Sequence, residues 1–337
     1  MKLLSVIIPC YNSAEYMERA IKSALAGGEE VEVLVIDDGS TDDTLKIANE
    51  MQNQYPSVRA IHQENGGHGC AVNTGLANAT GLYVKVLDSD DWFDYTAFTN
   101  VLRKLRELVE DGHPVDMMIC NYVYEKLHVS KHKIMSYSHA LPKDKIIGWK
   151  QVRSFRMHQN LIMHSLIFRT KILKDCGLHL PEHCFYVDNI FSFVPLPHVK
   201  TMYYLDENLY RYYIGREDQS VNEEIMIQRI DQQIHITKLL IDYYNDATIK
   251  DKSLRKYMTK FLAMMMIVSS ALLIKEGSHE SLDKRDELWN YLKKGNLPVY
   301  YFISRYKLGY PLQAKSRSGR RMVIWGYHVF RQIYGFN

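Results

Sequence analysis

The sequence predicts an α/β domain with a mixed, mostly parallel sheet flanked by helices, followed by a helical C-terminal region. Three observations carry that prediction. Apolar runs rich in β-branched residues alternate with stretches of helical spacing up to about residue 121. Polar clusters follow those runs directly, at the carboxyl ends of strands where a parallel sheet collects its ligands. Beyond residue 222 the strand-like runs give way to helix-period segments.

Residues 3–8 are a continuous apolar run and read as the first strand. Residues 14–26 have helical spacing, with Ala20, Ile21, Ala24 and Leu25 on one side. Residues 31–36 form a second strand-like run. Ser40 or Thr41 can cap a helix reaching to about Met51, with Asp42 and Asp43 in a first turn that favours acids. Residues 58–61 read as a short strand, 70–79 as a helix, 82–87 as a strand, 95–109 as a helix and 115–120 as a strand. Residues 122–222 are irregular, with many aromatics and histidines, and read as the second half of the same domain, 1–222. The region 223–337 is mainly helical, with helices at 225–244 and 254–274 and a weaker one at 281–294. A polar break at 315–319 precedes a final helix, 320–334. The most membrane-like run, 261–274, is well short of the roughly 20 apolar residues a helix needs to cross, so a buried helix is expected there.

The chain has 337 residues, enough for a large core and two domains. Its five cysteines are scattered, odd in number and without a C-x-x-C, which favours free thiols in a reducing compartment over a disulfide framework or zinc site. The N-terminal apolar run is too short for a secretory signal and stops at Pro9, so a cytoplasmic location is expected. The net charge of +3 conceals an asymmetry, because residues 288–337 hold nine Lys and Arg and no acid. A basic tail on an acidic body implies an anionic partner surface.

The cluster Asp88-Ser89-Asp90-Asp91 stands immediately after the run 82–87. Adjacent carboxylates repel and are costly to bury without a cation or hydrogen-bond donors, so packing does not explain them. Oxygen ligands at the end of a strand suit Mg²⁺ or Mn²⁺ with substrate phosphates completing the shell. A D-x-D alone is weak, since acidic turns are common. Here three further polar clusters, at 10–12, 37–40 and 64–69, fall at the same edge of the expected sheet.

The strings SVIIPCYNSAEYMERAIKSAL, VEVLVIDDGSTDDT and ENGGHGCAVNTGLANATGLYVKVLDSDDW, in that order, resemble the inverting glycosyltransferase family 2. The resemblance is strong over roughly the first 120 residues and fainter to about 222. It implies a GT-A fold, a nucleotide-diphosphate sugar donor, a divalent metal (Mn²⁺ or Mg²⁺) and inverting, hexosyltransferase-type transfer. Residues 1–121 would be the nucleotide-sugar-binding half and 122–222 the acceptor-side half.

Carried over residue by residue, the resemblance assigns Pro9, Tyr11 and Asn12, with Glu15 nearby, and then Asp37 and Asp38 to the nucleoside. Gly39 and Ser40 serve the turn and helix start. Gly66, Gly67 and Gly69 suit a loop approaching the donor closely, followed by Asn73. Relatives often carry Ala-Arg-Asn where this chain has Ala71-Val72-Asn73, so another cation, His68 or Lys85, would have to serve the diphosphate. Asp88 and Ser89 are expected at the ribose or metal shell, and Asp90 or Asp91 as the main metal ligand, a choice the sequence leaves open. The motif that supplies the base in this family matches Phe185–Phe191, with Asp188 retained and Val187 in place of the usual Glu; Glu182 is the reserve candidate. Arg211 or Arg216 would close over the diphosphate, and His158 and His164 would lie in the acceptor wall without a metal role.

The expected partners are a nucleotide-sugar donor, most simply a UDP-sugar, and a glycan or lipid-linked acceptor of cell-surface polysaccharide synthesis. The segment 288–337, ending in a helix that mixes Arg with Met, Trp, Tyr and Phe, adds an anionic membrane surface at the inner face of the cell membrane. Nucleic acid is not expected, since no binding motif accompanies the charge. Two rivals remain open at this point. A nucleotidyltransferase would need a triphosphate loop near residue 10, which is not evident, and a non-catalytic binding protein of the same fold is kept open by Val187 and Val72.

Overall fold

The computed structural model describes residues 2–126, 132–156, 159–214, 222–306 and 309–334, without the side chains of 317 and 327–334. The chain divides into two compact units, one of Met1–Phe155 with Leu161–Ile214, the other of Arg156–Asn160 with Gly215–Asn337. The expected boundary lay at 222.

The first unit is built on β1 (Leu4–Cys10), α1 (Met17–Leu25), β2 (Val31–Asp38), α2 (Thr44–Gln54), β3 (Val58–Gln63), α3 (His68–Asn78), β4 (Tyr83–Val86), β5 (Trp92–Phe93) and α4 (Tyr95–Glu110). It continues with β6 (Met117–Lys126), β7 (Lys133–Met135), β8 (Ile146–Ile147), β9 (Leu166–Arg169), α5 (Thr170–Asp175), α6 (Asp188–Phe193) and β10 (Met202–Ile214). One sheet runs β3-β2-β1-β4-β9-β6-β10-β5, with β7 on β6 and β8 on β10. β3, β2, β1 and β4 are parallel. β9 is antiparallel to both β4 and β6, and β10 runs parallel to β6. Every residue of β1 and β2 is buried, the mark of strands covered on both faces.

Local chemistry explains the helices. Asp94 caps α4 by accepting from the Ala97 amide at 3.0 Å, and Phe98, Val101, Leu102, Leu105 and Leu108 form its buried stripe. The expected cap of α2 is displaced. The helix starts at Thr44, whose amide donates to Asp42 at 3.0 Å. Ser40 and Thr41 instead bond Asn12: its amide donates to Ser40 Oγ at 3.0 Å, and its Oδ1 accepts from the Thr41 amide at 2.9 Å.

The half read as irregular contains the sheet's longest strand, β10, of 13 residues. Its pairing with β6 shifts register on both sides of Asn208. There Asp206 turns into a network with Tyr204, Asn121 and Lys143, which pulls its carboxyl down to about 2 against the cost of its burial. This polar interruption hides the strand from a periodicity reading.

The second unit comprises α7 (Glu223–Gln228), α8 (Ile230–Asp246), α9 (Lys252–Glu276), α10 (His279–Gly295), α11 (Leu297–Arg305) and α12 (Arg317–Tyr334). The single helix expected at 225–244 is broken at Arg229, and α11, capped by Asn296 with a proline in its first turn, was not anticipated. α9 is long and apolar enough to cross a bilayer, but 78% of its most apolar window is buried inside the protein.

Candidate active site

β4 ends at Val86, and the acidic turn follows at once. The turn is closed by the Asp91 amide, which donates to the Asp88 carbonyl at 3.0 Å. Tyr210 of β10 clamps both ends: the Asp88 amide donates to its hydroxyl oxygen at 3.1 Å, and that hydroxyl donates to Asp91 Oδ2 at 2.6 Å. Asp91 Oδ1 accepts from the Tyr213 amide at 2.7 Å. Burial, reinforced by the charges of Asp90 and Asp88, pushes the Asp91 carboxyl well above the ordinary aspartate range, and the two hydrogen bonds only partly offset this.

Asp88 is treated differently. Its Oδ1 lies 3.0 Å from His68 Nε2 and its Oδ2 lies 3.2 Å from His164 Nε2. Burial disfavours the charged form, but the hydrogen bonds to His164 and His68 outweigh it and hold the carboxyl well below the ordinary range. Burial likewise works against His68⁺, and Asp88, with more distant help from Asp188 and Asp90, overcomes it and raises the imidazole pKa.

His164 arrives from the antiparallel strand. It lies in the short turn Met163–Ser165 that leads into β9, which places it at the same sheet edge as the end of β4. Its ring stacks on Tyr212 at 4.4 Å and meets Tyr210 edge-on at 4.8 Å. Asp88, Asp91 and His164 offer ligand atoms all within 4.8 Å of one another. The His164 Nδ1 is buried without a hydrogen-bond partner. Two carboxylates and an imidazole, one ring nitrogen of it unsatisfied, suit a divalent cation such as Mn²⁺.

Of Asp90 and Asp91, between which the sequence leaves the metal ligand open, the cluster takes Asp91, and Asp88 joins it in one of the two places expected for Asp88. The third member is His164. Asp90 serves through its backbone, its carbonyl accepting from Arg19 at 2.7 Å while the Arg19 guanidinium lies 3.7 Å from the Trp92 ring centre. Ser89 Oγ is 2.8 Å from Ser13 Oγ and so ties the turn to the loop after β1. On that loop Tyr11, Asn12 and Glu15 are exposed, Asn12 in the left-handed region at φ 47°, whereas Pro9 is buried within β1.

The two aspartates ending β2 are buried and hydrogen-bonded within the chain. Asp38 Oδ1 accepts from Gln63 Nε2 at 2.7 Å and the Gly66 amide at 2.9 Å, and its Oδ2 accepts from the Gly67 amide at 2.8 Å. Asp37 Oδ2 is 2.6 Å from His62 Nδ1, and its Oδ1 accepts from the Ser40 amide at 3.3 Å. Both carboxylates thus have partners within the chain, which fix their orientation at the end of β2.

The glycine loop also has a different neighbour from the one expected. Gly67 has φ 84°, and a Cβ there would stand 3.1 Å from the His183 amide nitrogen; at Gly69 it would stand 2.5 Å from the Pro181 carbonyl oxygen. The His183 amide donates to the Gly66 carbonyl at 2.6 Å. Asn73 pairs with both backbone groups of Leu180, donating at 2.8 Å and accepting at 3.0 Å. Gly67 and Asn73 therefore hold the segment 180–183, which leads to Asp188. Val72 is buried in the core.

Asp188 opens α6, with Val187 buried behind it and Tyr186 in the left-handed region at φ 66°. A bulky residue held there marks a constrained approach. Burial raises the Asp188 carboxyl, with Asp88 adding to it, while His164 and His68 oppose; these four groups share one electrostatic neighbourhood. Glu182 is exposed, 3.8 Å from Cys70 Sγ. Lys85 is buried with its Nζ on three backbone carbonyls, and Arg211 is paired with Glu125 at 2.9 Å and Asp94 at 2.8 Å, so neither cation stands ready for a diphosphate. His158 and Arg216 lie outside the described residues.

The site residues missed from sequence are His164 as a member of the acidic cluster, and Tyr210 and Arg19 as its clamps. Detecting β9 would have found His164, since a polar residue opening an antiparallel strand lies beside the carboxyl end of its parallel neighbour.

With this geometry in hand, likenesses to known proteins are informative. Residues 5–169 match the family Glycosyl transferase family 2. A segment of 106 residues is 42% identical to the chondroitin synthase of Escherichia coli, covering 31% of this chain and 16% of that protein. TarS 1-349 of S. aureus in complex with UDP-GlcNAc superposes with a TM-score of 0.74 at 21% identity, covering 97% of this chain and 92% of that one. A mannosyltransferase of Pyrobaculum calidifontis in complex with GDP-Man and Mn²⁺ gives 0.52 at 15% identity, covering 98% and 86%. The structural likenesses establish the fold as GT-A. Through the segment 5–169, just under half of its length, the chain is similar to glycosyltransferase family 2.

Proposed function

We propose that the chain transfers a sugar, with inversion, from a UDP-sugar to a hydroxyl of a glycan or lipid-linked acceptor in cell-surface polysaccharide synthesis. One observation carries this reading: Asp188, a carboxyl of raised basicity, stands in the electrostatic neighbourhood of the cluster Asp88, Asp91 and His164. A base of elevated pKa beside an acidic cluster suited to a divalent cation is the division of labour that direct displacement at a sugar carbon requires. Asp188 accepts the acceptor's hydroxyl proton as that oxygen bonds to C1. The bond from C1 to the diphosphate oxygen breaks, and the nucleotide diphosphate leaves.

Asp88, Asp91 and His164 would hold Mn²⁺ or Mg²⁺, which supplies Lewis-acid stabilisation of the leaving diphosphate. The uridine choice is supported by the TarS complex with UDP-GlcNAc and by the exposed Tyr11 on the loop after β1. A panel of UDP- and GDP-sugars, followed by nucleotide release and by NMR of the product anomer, tests the proposal. Release of UDP with an inverted anomer is expected. Nucleotide binding without turnover on any acceptor would favour a non-catalytic role, and retention of configuration would remove Asp188 as base.

We further propose that the enzyme works in the cytoplasm against the inner face of the membrane, through its second unit. There Tyr310, Met322 and Trp325 are exposed, and Lys315 and Arg321 lie exposed in the same acid-free stretch. Aromatic and basic side chains together favour the headgroup region of anionic lipid. Cosedimentation with phosphatidylglycerol vesicles, but not phosphatidylcholine vesicles, is expected, and equal partition with both would contradict it.

A further inference from the structure

Lys85 lies in β4 between the buried Val84 and Val86 and is itself fully buried. A buried ammonium is expensive unless its donors are matched. Here each of its three donors finds an acceptor, although burial still pulls the Lys85 pKa down to about 7. Its Nζ donates to the carbonyls of Met163 at 2.9 Å, His164 at 2.6 Å and Leu166 at 3.2 Å. An ammonium has three N–H groups, and all three acceptors belong to the turn that presents His164 and its junction with β9. Nζ also lies 4.9 Å from the ring centre of Tyr210, the residue that clamps Asp88 and Asp91.

The bonding pattern is directional. The His164 backbone is tied down by Lys85, its ring is stacked on Tyr212, and its Nε2 meets Asp88. A hydrophobic residue at 85 would complete β4 equally well as a strand, but would leave three buried carbonyls of the turn without this donor. We propose that Lys85 is a positioning residue: it fixes the turn 163–166 so that the His164 imidazole stands at Asp88 and Asp91, and thereby sets the affinity of that cluster for a divalent cation. This rests on the reading of the cluster as the metal–nucleotide site. Lys85 acts through His164 and touches neither donor nor acceptor.

The test compares wild type with Lys85→Met, His164→Ala and the double variant, each verified as folded by thermal unfolding. Mn²⁺ is titrated calorimetrically in the presence of UDP, and the His164 ring nitrogens are followed by NMR without metal. Lys85→Met is expected to weaken Mn²⁺ binding by about tenfold or more, the usual cost of losing an outer-sphere support. The double variant should bind no more weakly than His164→Ala, because both changes remove one interaction. The His164 ring resonances should move in Lys85→Met as the bond to Asp88 is lost. Unchanged ring resonances, or losses that add in the double variant, would overturn the proposal. If wild type binds no Mn²⁺, the reading of the cluster as a metal site fails, and the ring resonances still decide whether Lys85 positions His164. If Lys85→Met does not fold, Lys85→Gln, which keeps an amide donor, carries the same comparison with a smaller expected loss.

Discussion

Two groups of buried carboxylates in the first unit are built on opposite principles. Glu32 of β2 is almost fully buried and accepts from Ser5 Oγ at 2.5 Å and from the amides of Thr80 at 2.6 Å and Gly81 at 3.1 Å. Its burial would raise the carboxyl, but these donors prevail and hold it below the ordinary range. Asp91 is also buried, yet it lies beside Asp88 and Asp90 and is pushed up, while Asp88 is held down by two histidines. The contrast separates a carboxylate that staples strands together from carboxylates kept in mutual repulsion. Repulsion of that kind is retained where a charged ligand relieves it. Burial alone therefore does not identify a functional acid; the completeness of its donor set does.

The largest effect should come from Asp188, the proposed proton acceptor. Asp188→Asn is expected to lower kcat by about 10³-fold while UDP affinity, read by calorimetry, stays near wild type. Asp88→Ala should weaken Mn²⁺-dependent UDP binding by about 100-fold, with a change in stability within about 1 kcal/mol, since repulsion with Asp91 disappears along with the histidine bonds. Glu32→Ala should do the reverse. Leaving the Ser5 hydroxyl and the Thr80 amide without their acceptor, while the Gly81 amide keeps Ser5 Oγ at 2.8 Å, should cost about 3 kcal/mol in urea unfolding, with nucleotide binding intact. A stability loss at Asp88 as large as that at Glu32 would erase the distinction.

The pH dependence sharpens the same comparison. His68 has a raised folded pKa, so its contribution to stability is complete below about 6.5 and is lost as pH rises through the folded value. Asp88 has a depressed one, so its contribution is present above about 4 and is lost as pH falls through the folded value. The pair therefore stabilises the fold most between these limits. Asp88→Asn should lower the His68 pKa, followed by NMR, because the carboxylate that raises it is gone. The smallest effect is expected at Asn73→Ala, which removes the paired bonds to Leu180 and should cost about 1–2 kcal/mol with a modest fall in kcat.

Much of this was legible in the sequence, and the rest was hidden for physical reasons. β1, β2 and β4 lie in predominantly apolar, β-branched runs, so their positions and the acidic turn after β4 could be read directly. β9 is only four residues long, and β10 is interrupted by Asp206, Glu207 and Asn208, so the half that supplies His164 and Tyr210 read as irregular. Partners within the chain were also not legible from residue type: Asp37, Asp38 and Asn73 bond His62, the glycine loop and the segment before Asp188. Lys85 suggested a phosphate partner from its charge, and its place inside a strand, between two valines, was the signal that it points into the fold.

The most direct test is calorimetric titration of UDP into wild type, Asp88→Ala and Glu32→Ala, each with and without Mn²⁺. UDP binding tightened by Mn²⁺ in wild type, retained in Glu32→Ala and lost in Asp88→Ala is the expected result. UDP affinity that ignores both Mn²⁺ and the Asp88 substitution would contradict the assignment of the acidic turn as the donor site.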